Sequence, residues 1–412
     1  MRLAVFPLAI ALLPLALNPL ARHDRAPVPC DEGNGGLTLA RGFCAVVVAK
    51  DLDGVRQVTV GSDGIVYGAL SKGDAGVVAL RDTNGDGRAD ERRLFGPKGA
   101  NDVKLHDGYL YLALKDRIVR WKLVPGQLQP PGDPEVIVDD LPSDQSHQAK
   151  SIAFGTGDVL YVNVGSPSNS CQQRNREKGS RGFDPCPELA TRAGVWQFSA
   201  SRPAQPHSGW ARFATGIRNA TALAVRPGSA QLYGLTNGRD LLGDNWGFSD
   251  AYNAENPGEE LILVEKGDDF GWPYCYFSVE VQSLVLAPEY GGDGKEVGRC
   301  ASMKKPLMVF PAHWAPLALA FSAGSAMQGP YADGIFIAFH GSWNRAPLPQ
   351  AGYRVVFAPF ANGRPAGTFT TFATGSENDY WLRPSGVAVA PGGAVYISAD
   401  NRGMIWKVVP GT

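Results

Sequence analysis

The chain has 412 residues, of which 50 are glycine and 31 are proline; this composition is typical of many short strands joined by tight turns, not of a helical protein. Its formal net charge is −1 and no stripe of Lys and Arg is present, so nucleic acid is not an expected partner, because neutralising phosphates requires clustered cations. A hydrophobic content of 44% supplies a sizeable core and excludes wholesale disorder.

The N-terminus resembles an export signal. Arg2 is followed by the apolar run Leu3–Leu17, which has signal-peptide length and is short for a membrane span. We therefore expect residues 1–21 to be a signal peptide with an approximate boundary and 22–36 to be an N-terminal extension, which places the protein in the periplasm or outside the cell. An uncleaved anchor is the alternative. No second apolar stretch is long enough to cross a bilayer, so stable membrane insertion is not expected.

The six cysteines agree with export. They fall into three sequence-local couples, namely Cys30 with Cys44, Cys171 with Cys186, and Cys275 with Cys300. An even number of cysteines after an export signal predicts disulfides in an oxidising compartment. Proximity favours pairing within each couple. A zinc site is the competing interpretation, and the absence of any CxxC disfavours it.

A weak internal repeat runs through residues 37–412. Each copy joins an alternating strand to a second strand through a glycine-containing turn. The copies cover Arg56–Leu70, Asn101–Leu114, Lys150–Gly165, Thr221–Gly238, Leu317–Trp343 and Ser385–Asp400. Further strands such as Gly194–Ala200 follow most copies. Six copies of a four-stranded unit predict an all-β fold, a six-bladed β-propeller. A β-sandwich is the alternative, and it explains six copies of one pattern less well.

The segment DTNGDGRAD resembles a calcium-binding loop. Oxygen-bearing side chains stand at its first, third, fifth and ninth positions, namely Asp82, Asn84, Asp86 and Asp90. Gly87 allows a sharp bend, and ligands at this spacing can wrap one Ca²⁺. Arg93 occupies the twelfth position, where an EF-hand has Glu, and no helices flank the loop. We therefore expect either a structural Ca²⁺ site at the propeller edge or a polar β-turn.

Four charged or titratable side chains occupy equivalent places in successive repeats. His147, Arg218, His313 and Arg383 each lie just before an inner strand. Equivalent places in a propeller converge on one end of its channel. Two arginines there suit a ligand with several carboxylates, and a histidine can act as a general base. The alternatives are a histidine in a surface loop and arginines that bind carbonyls to seal neighbouring blades.

From about Leu37 to the C-terminus, the chain resembles the soluble glucose/sorbosone dehydrogenases that depend on pyrroloquinoline quinone (PQQ). The motifs that carry this resemblance are LPSDQSHQAKSIAFG with LYVNVG, GIRNATALAV, GDDFGWPYC, HGSWNR and LRPSGVAV, in this order. HGSWNR and GWPYC are closer to the sorbosone or pyranose dehydrogenase branch than to the glucose branch. The resemblance implies a six-bladed propeller with PQQ and Ca²⁺ as cofactors.

The resemblance also implies roles for individual residues. His147 matches the base that takes the substrate hydroxyl proton while hydride goes to PQQ, and Gln148 follows it. Arg218 and Asn219 match the pair that contacts the quinone and its developing negative charge. The remaining implied assignments are backbone carbonyls of Gly238 and Arg239 for the catalytic Ca²⁺, Arg383 for a PQQ carboxylate, and His340, Asn344 and Arg345 near the cofactor.

Two positions depart from the family pattern. Ser166 follows the strand LYVNVG where the family commonly has Asp, which orients the catalytic histidine. A base without that carboxylate is expected to hold the wrong tautomer more often. Trp381 stands where the glucose branch has a second arginine, so we expect it to offer the cofactor a stacking face instead of a charge.

The function that this resemblance implies is oxidation of a sugar or sugar aldehyde of the sorbosone, aldose or pyranose type. Electrons would pass to an external acceptor, a quinone or a cytochrome, because no CxxCH attaches a haem to this chain. No GxGxxG follows a strand, so a nicotinamide cofactor is not expected. The alternatives are a non-catalytic propeller that binds glycans or proteins, which Ser166 favours, and a calcium-dependent lactonase, which the two arginines disfavour.

Overall fold

The protein is a six-bladed β-propeller, as predicted, in a computed structural model that describes residues 29–378 and 380–411. The expected signal peptide, 1–21, lies outside the described residues, as does the start of the expected extension. Each blade is an antiparallel sheet of four main strands, and the first strands of neighbouring blades pack against one another in a closed ring. All six copies of the sequence repeat coincide with the first two strands of a blade.

Two N-terminal strands, β1 (Leu37–Leu39) and β2 (Phe43–Ala49), precede the first blade. Blade one comprises β3 (Val55–Val60), β4 (Val66–Leu70), β5 (Val77–Arg81) and β6 (Glu91–Phe95). Blade two comprises β7 (Asp102–His106), β8 (Tyr109–Ala113), β9 (Ile118–Lys122) and β10 (Glu135–Asp139). Blade three comprises β11 (Ile152–Phe154), β12 (Val159–Val164), β13 (Gly194–Ser199) and, after β14 (Gln205–Pro206) that pairs with β10, β15 (Arg212–Thr215).

Blade four comprises β16 (Ala222–Val225), β17 (Leu232–Thr236), β18 (Glu259–Val264) and, after the inserted hairpin of β19 (Cys275–Ser278) and β20 (Ser283–Leu286), β21 (Met308–Phe310). Blade five comprises β22 (Pro316–Phe321), β23 (Gly334–Phe339), β24 (Arg354–Ala361), the short β25 (Arg364–Pro365) and β26 (Thr370–Gly375). Blade six comprises β27 (Pro384–Val389), β28 (Val395–Ala399) and β29 (Met404–Pro410).

Helices are few and short. The α-helices are α1 (Leu242–Trp246) and α2 (Asp250–Glu255). The 3₁₀ helices cover Glu32–Gly35, Pro187–Ala190, Gly209–Ala211, Pro288–Tyr290, Gly298–Ser302 and Gly329–Tyr331. Within the described ranges, none of these helices has the length and apolarity needed to span a membrane.

The ring is closed by strands from the opposite end of the chain. β2 pairs with β29 and becomes the fourth strand of blade six, while β1 pairs with β26 at the outer edge of blade five. The core lies between the faces of neighbouring blades. In the layer between blades five and six, for example, the buried Val47 and Trp406 pack with Phe336 and Phe372. Pairing between the N-terminal strand β2 and the C-terminal strand β29 therefore closes the ring.

The disulfides are the three predicted local pairs: Cys30–Cys44, Cys171–Cys186 and Cys275–Cys300. The second bridge staples the long insertion between β12 and β13. The third joins the inserted β19–β20 hairpin to the segment that precedes β21. The insertion between β12 and β13 leaves blade three at the end of the channel where the first strands begin, whereas the insertion after β18 leaves blade four at the opposite end.

Antiparallel pairing fixes which segments meet at that end. A segment that enters the first strand of a blade and a segment that follows its second strand must lie at the same end of the sheet. His147, Arg218, His313 and Arg383 lie on entering segments, whereas Gly238 follows the second strand of blade four. The fold therefore gathers these residues around one mouth of the channel.

Candidate active site

A cavity of about 310 Å³ opens at this mouth. Seven of the predicted site residues line it: His147, Arg218, Asn219, Gly238, His340, Asn344 and Arg383. Its size falls at the lower end of the range for small-molecule pockets. Residues that are distant in sequence thus meet in one polar site.

His147 is held in one tautomer. Its Nδ1 lies 2.7 Å from the carbonyl oxygen of Ser166 and 3.0 Å from the Ser166 hydroxyl. Because a carbonyl only accepts hydrogen bonds, Nδ1 must carry the proton, which leaves a lone pair on Nε2. Ser166 Oγ donates its own hydrogen to the carbonyl of Ser168, at 2.7 Å. Ser166 therefore orients the ring through its carbonyl and its hydroxyl, and the expectation that the ring would hold the wrong tautomer without a carboxylate is wrong.

The charge state of His147 suits a base. Burial, together with the positive charge of Arg218, lowers the pKa of His147 to about 3. The ring is therefore neutral at neutral pH. Its Nε2 has no hydrogen-bond partner among the described residues, and the side chain lines the cavity. This nitrogen is available to accept a proton from a ligand.

Arg218 is buried, and the protein itself uses all of its donors. Nε donates to the carbonyl of Asn169 at 3.1 Å, and Nη1 donates to the carbonyls of Asn237 at 3.3 Å and Gly238 at 2.7 Å. Nη2 donates to Asn169 Oδ1 at 3.0 Å and to Asp240 Oδ2 at 3.1 Å. A guanidinium has five N–H groups, so none is left for a ligand. Arg218 contributes its charge and the shape of the cavity wall.

Both backbone groups of Gly238, its N–H and its carbonyl, are hydrogen-bonded to side chains. Its N–H donates to Glu259 Oε2 at 2.9 Å, and burial raises the pKa of Glu259 to about 7. Its carbonyl accepts from Arg218, so a calcium ion there would lie beside a guanidinium. The arrangement as it stands does not fit Ca²⁺ at this carbonyl, because calcium takes oxygen ligands and is repelled by a neighbouring cation. The side chain of Arg239 points elsewhere, to the buried Glu289, with Nη2 2.7 Å from Oε1.

Asp240 links several cavity residues. Its Oδ2 accepts from Arg176 Nη2 at 2.8 Å as well as from Arg218, and its Oδ1 accepts from Asn344 Nδ2 at 2.8 Å. Burial alone would raise the pKa of Asp240, but the charges of Arg218 and Arg176 hold it below its usual value. Asn344 also donates to His313 Nδ1, at 3.1 Å. One carboxylate is thus shared by two guanidinium groups.

Arg383 is positioned by a relay on the opposite wall. Arg56 Nη1 donates to Asp400 at 2.8 Å, and Asp400 accepts from His340 Nε2 at 2.9 Å. The Nδ1 of His340 then accepts from Arg383 Nη2 at 3.0 Å, and Arg383 Nε donates to the His340 carbonyl at 3.1 Å. Arg383 Nη1 has no protein partner among the described residues, so it is free for a ligand.

The sequence pattern of the TrAA12-like family matches residues 37–410. The chain belongs to this family. The resemblance inferred from the motifs is confirmed at this level.

The alignments between this TrAA12-like protein and its curated relatives cover only part of each relative. A pyrroloquinoline quinone-dependent pyranose dehydrogenase from Coprinopsis cinerea is 28% identical over 208 residues, which are 43% of this chain and 27% of that protein. An uncharacterized protein from Borreliella burgdorferi is 28% identical over 199 residues, 47% of this chain and 48% of that protein. The chain thus spans half or less of the curated relatives that it matches.

Solved structures confirm the propeller fold. The PQQ domain of the Coprinopsis cinerea pyranose dehydrogenase, in its holo form, has a TM-score of 0.73 at 18% identity and covers 90% of this chain and 96% of that one. A calcium structure of a Trichoderma reesei enzyme of family AA12 has a TM-score of 0.75 at 18% identity and covers 94% of this chain and 100% of that one.

Four predicted residues of the TrAA12-like protein lie outside the cavity lining. They are Arg239, Gln148, Arg345 and Trp381. Gln148 donates to the Gln145 carbonyl at 2.9 Å. Arg345 donates to the Pro349 carbonyl at 3.1 Å and forms an ion pair with Glu255. The Trp381 ring lies against Gly36 and under the guanidinium of Arg402, 4.3 Å from its carbon to the ring centre. A stacking role for Trp381 in the cavity stays a prediction.

The loop from Asp82 to Asp90 joins β5 to β6, at the end of the propeller opposite the cavity. Its acidic side chains accept bonds from the loop itself: Asp82 from Gly85 N at 2.6 Å and from Gly87 N at 2.8 Å, and Asp90 from Thr83 N at 3.0 Å. Asn84 and Asp86 cap the next backbone amides in the same way. These bonds describe a polar turn, and calcium binding here stays a prediction.

Several cavity residues were not among the predicted site residues, namely Arg176, Asp240, Glu259 and Trp343. Trp343 lies within the recognised motif HGSWNR, and Asp240 directly follows the predicted pair Gly238 and Arg239. Glu259 and Glu260 begin a strand whose other residues are apolar, which is a weak signal for a buried polar role. Arg176 lies in an insertion whose path depends on its disulfide, and no local pattern predicts it.

The donor set fits PQQ, a flat quinone with three carboxylates. Guanidinium N–H groups of Arg383 and Arg176 without a protein partner line the cavity together with Asn219 and a neutral base, His147. Arginine N–H groups are the geometric match for carboxylates. The residues present can therefore hold such a group.

Proposed function

We propose that the protein oxidises a sugar or sugar aldehyde with PQQ as its cofactor, at the mouth of the propeller channel. One observation carries the proposal: a neutral histidine with a free Nε2 lines the same cavity as guanidinium groups with free N–H donors. Membership of the TrAA12-like family and the pyranose dehydrogenase among its relatives support it.

The reaction needs a base at the hydroxyl that is oxidised. His147 Nε2 takes the proton of this hydroxyl, and the imidazolium that forms keeps its Nδ1–H bond to the Ser166 carbonyl. PQQ, when bound, supplies the chemistry of hydride acceptance. Arg218 places a fixed positive charge beside the base, which favours negative charge developing in the cavity. Arg383 binds a cofactor carboxylate through Nη1, and the relay from Arg56 keeps it oriented.

Trp343 supports a sugar as the substrate. It lines the cavity, and 64% of its surface is exposed. An exposed indole at the mouth of a polar pocket offers an apolar face to the C–H side of a sugar ring while the polar groups bind its hydroxyls. A sorbosone-type or pyranose-type substrate both satisfy this arrangement.

The expected export and electron acceptor belong to the same proposal. Three disulfides and the N-terminal residues 1–21 support export to the periplasm or the exterior. The reduced cofactor would be reoxidised by an external quinone or cytochrome.

The test is a titration of the purified protein with PQQ, in parallel arms with Ca²⁺ and with EDTA, followed by addition of sorbosone, glucose and a panel of aldopyranoses. Saturable PQQ binding, followed by sugar-dependent bleaching of the quinone absorbance, is the expected result. A folded protein that binds no PQQ in either arm contradicts the proposal. A difference between the arms decides whether Ca²⁺ is required.

A matched pair of variants assigns the binding to the cavity. Arg383→Gln removes the free Nη1, and we expect PQQ affinity to fall about tenfold or more, because bonds between a guanidinium and a carboxylate are among the stronger ones. Arg402→Gln is the control, since Arg402 is exposed and stacks on Trp381 outside the cavity. Equal losses in the two variants would place PQQ elsewhere.

A further inference from the structure

Arg176 is a guanidinium in the cavity wall whose donors are mostly unused. Its Nη2 donates to Asp240 at 2.8 Å, whereas its Nε and Nη1 have no hydrogen-bond partner in the part of the chain that the structure describes. One third of the side chain, 33%, is exposed. Arg218 is the opposite case, because the protein occupies all five of its N–H groups. The cation on this wall that can bind a ligand is therefore Arg176.

The backbone of Arg176 adopts a conformation that is unfavourable in free energy. Its φ is +61°, a left-handed conformation that is uncommon for a residue with a side chain and disfavoured by about 1 kcal/mol. The Arg176 N–H donates to Gln172 Oε1 at 2.8 Å, and Gln172 Nε2 donates to the Ser180 carbonyl at 3.0 Å. The Cys171–Cys186 disulfide closes the same loop. Strain retained in a stapled loop at a cavity indicates a functional role.

Arg176 lies on the side of the base. Arg176 and His147 line the same cavity, and both belong to blade three, where His147 precedes β11 and Arg176 lies in the insertion after β12. Arg383 approaches from blade six and His147 from blade three, which stand opposite each other in a ring of six. The cavity therefore has one free guanidinium on each side, and the one beside the base lies where the reacting substrate must bind.

The charge of the wall around Arg176 favours an anionic ligand. Asp240 is shared between Arg176 and Arg218, and burial raises the pKa of Glu259, the other lining carboxyl near Arg218, to about 7, so this wall keeps an excess of positive charge. A neutral sugar would leave that excess uncompensated, while a carboxylate would satisfy it with two charge-assisted bonds.

We propose that Arg176 binds the carboxylate of an acidic sugar, a uronic acid, and so sets the substrate class of this site. This inference rests on the proposed function, since it assigns the substrate of the same cavity. Arg176 binds substrate and Arg383 binds the cofactor. The hydroxyl to be oxidised then lies at His147, between them.

The test compares D-glucuronate with D-glucuronamide, which has the same ring without the charge. The variant is Arg176→Gln, and the control is Arg174→Gln in the same loop, where Arg174 is exposed and pairs with Glu177 at 2.8 Å. KM and kcat are measured for both sugars on PQQ-loaded protein. PQQ affinity and near-UV circular dichroism are measured separately for each variant.

We expect the wild-type protein and Arg174→Gln to prefer glucuronate through KM. In Arg176→Gln the preference should fall about tenfold or more, with PQQ affinity within about twofold of the wild type. Equal use of the two sugars by the wild type, or an unchanged preference in the variant, overturns the inference. A selective loss of PQQ affinity in Arg176→Gln also overturns it, because Arg176 would then be a cofactor ligand.

Failure of the proposed function is distinguishable from failure of this inference. If the wild-type protein binds no PQQ, calorimetric titration of glucuronate into the cofactor-free protein still decides. Saturable binding that is lost in Arg176→Gln and kept in Arg174→Gln supports the carboxylate site. Absent or equal binding in all three proteins overturns it.

Discussion

A carbonyl oxygen decides the tautomer of His147. The Ser166 carbonyl, at 2.7 Å, accepts the Nδ1 proton whatever side chain residue 166 carries. A carboxylate at this position would add a negative charge that stabilises the imidazolium, and the serine hydroxyl does not. The departure at Ser166 therefore concerns the strength of the base, while the orientation of the ring is preserved.

Two substitutions at this hydrogen bond should have unequal effects. Ser166→Ala removes the longer of the two bonds to Nδ1 and should lower turnover by less than about threefold, since the carbonyl bond stays. His147→Gln removes the base and should lower turnover by about 100-fold or more. Steady-state kinetics with saturating PQQ and sugar measure both. A loss in Ser166→Ala as large as in His147→Gln would show that the hydroxyl, not the carbonyl, orients the ring.

The titration of His147 provides a second prediction. With burial and Arg218 lowering its pKa to about 3, the cofactor-free ring should stay neutral from pH 8 to pH 5. Histidine-selective NMR on the wild type, with His147→Gln to assign the signal, measures this directly. A midpoint near the ordinary value of about 6.5 would mean that water reaches the ring and that Arg218 does not act on it.

At the scale of elements, the insertion closed by Cys171–Cys186 builds one wall of the cavity. It carries Asn169, which accepts two of the five bonds from Arg218, and Arg176. Loss of the bridge frees this segment, so Cys171→Ser/Cys186→Ser should weaken PQQ binding several-fold. Cys30→Ser/Cys44→Ser, whose bridge lies near the N-terminal strands, should lower stability with little effect on PQQ affinity. Equal PQQ affinities in the two double variants would contradict this role.

Local patterns predicted the blades because each first hairpin is contiguous in sequence. The alternation in Arg56–Leu70, for example, becomes the β3–β4 pair. The position of Arg176 was beyond such patterns, since it depends on a disulfide and on side-chain bonds within an insertion. That the protein occupies all donors of Arg218 was also beyond local patterns, because its partners lie 19 to 49 residues away in sequence. Sequence thus predicts which segments meet, and side-chain geometry decides which groups remain free.

For the whole molecule, ring closure depends on β2. Val47 is buried where β2 pairs with β29, and its cross-strand partner is the buried Trp406. A carboxylate buried against an indole is costly, so Val47→Asp should lower the free energy of unfolding by about 3 kcal/mol or more. Thr38→Asp, on the exposed side of β1, is the control and should change it by less than about 0.5 kcal/mol. Denaturant unfolding measures both, and similar values would mean that closure by β2 contributes little.

Acid should destabilise the whole propeller partly through His207, a residue outside the cavity lining. Burial, with Lys150, Arg192 and Arg212 nearby, lowers the pKa of His207 to about 4. Between this value and the ordinary 6.5, the unfolded chain binds a proton that the folded chain does not, so stability falls as pH drops through this window. The His207 ring packs on Trp196, with 5.0 Å between ring centres, and phenylalanine can keep that contact without titrating.

His207→Phe should therefore lose less stability than the wild type when the pH is lowered from about 7.5 to about 5. The matched control is His106→Phe, which also replaces a ring stacked on an aromatic neighbour, Phe154, with 4.2 Å between ring centres. Unfolding free energies are measured for both variants at the two pH values. The acid response of His207→Phe should be smaller than that of the control. If both variants respond to acid as the wild type does, the cations around His207 are screened by solvent and the acid sensitivity of the fold originates elsewhere.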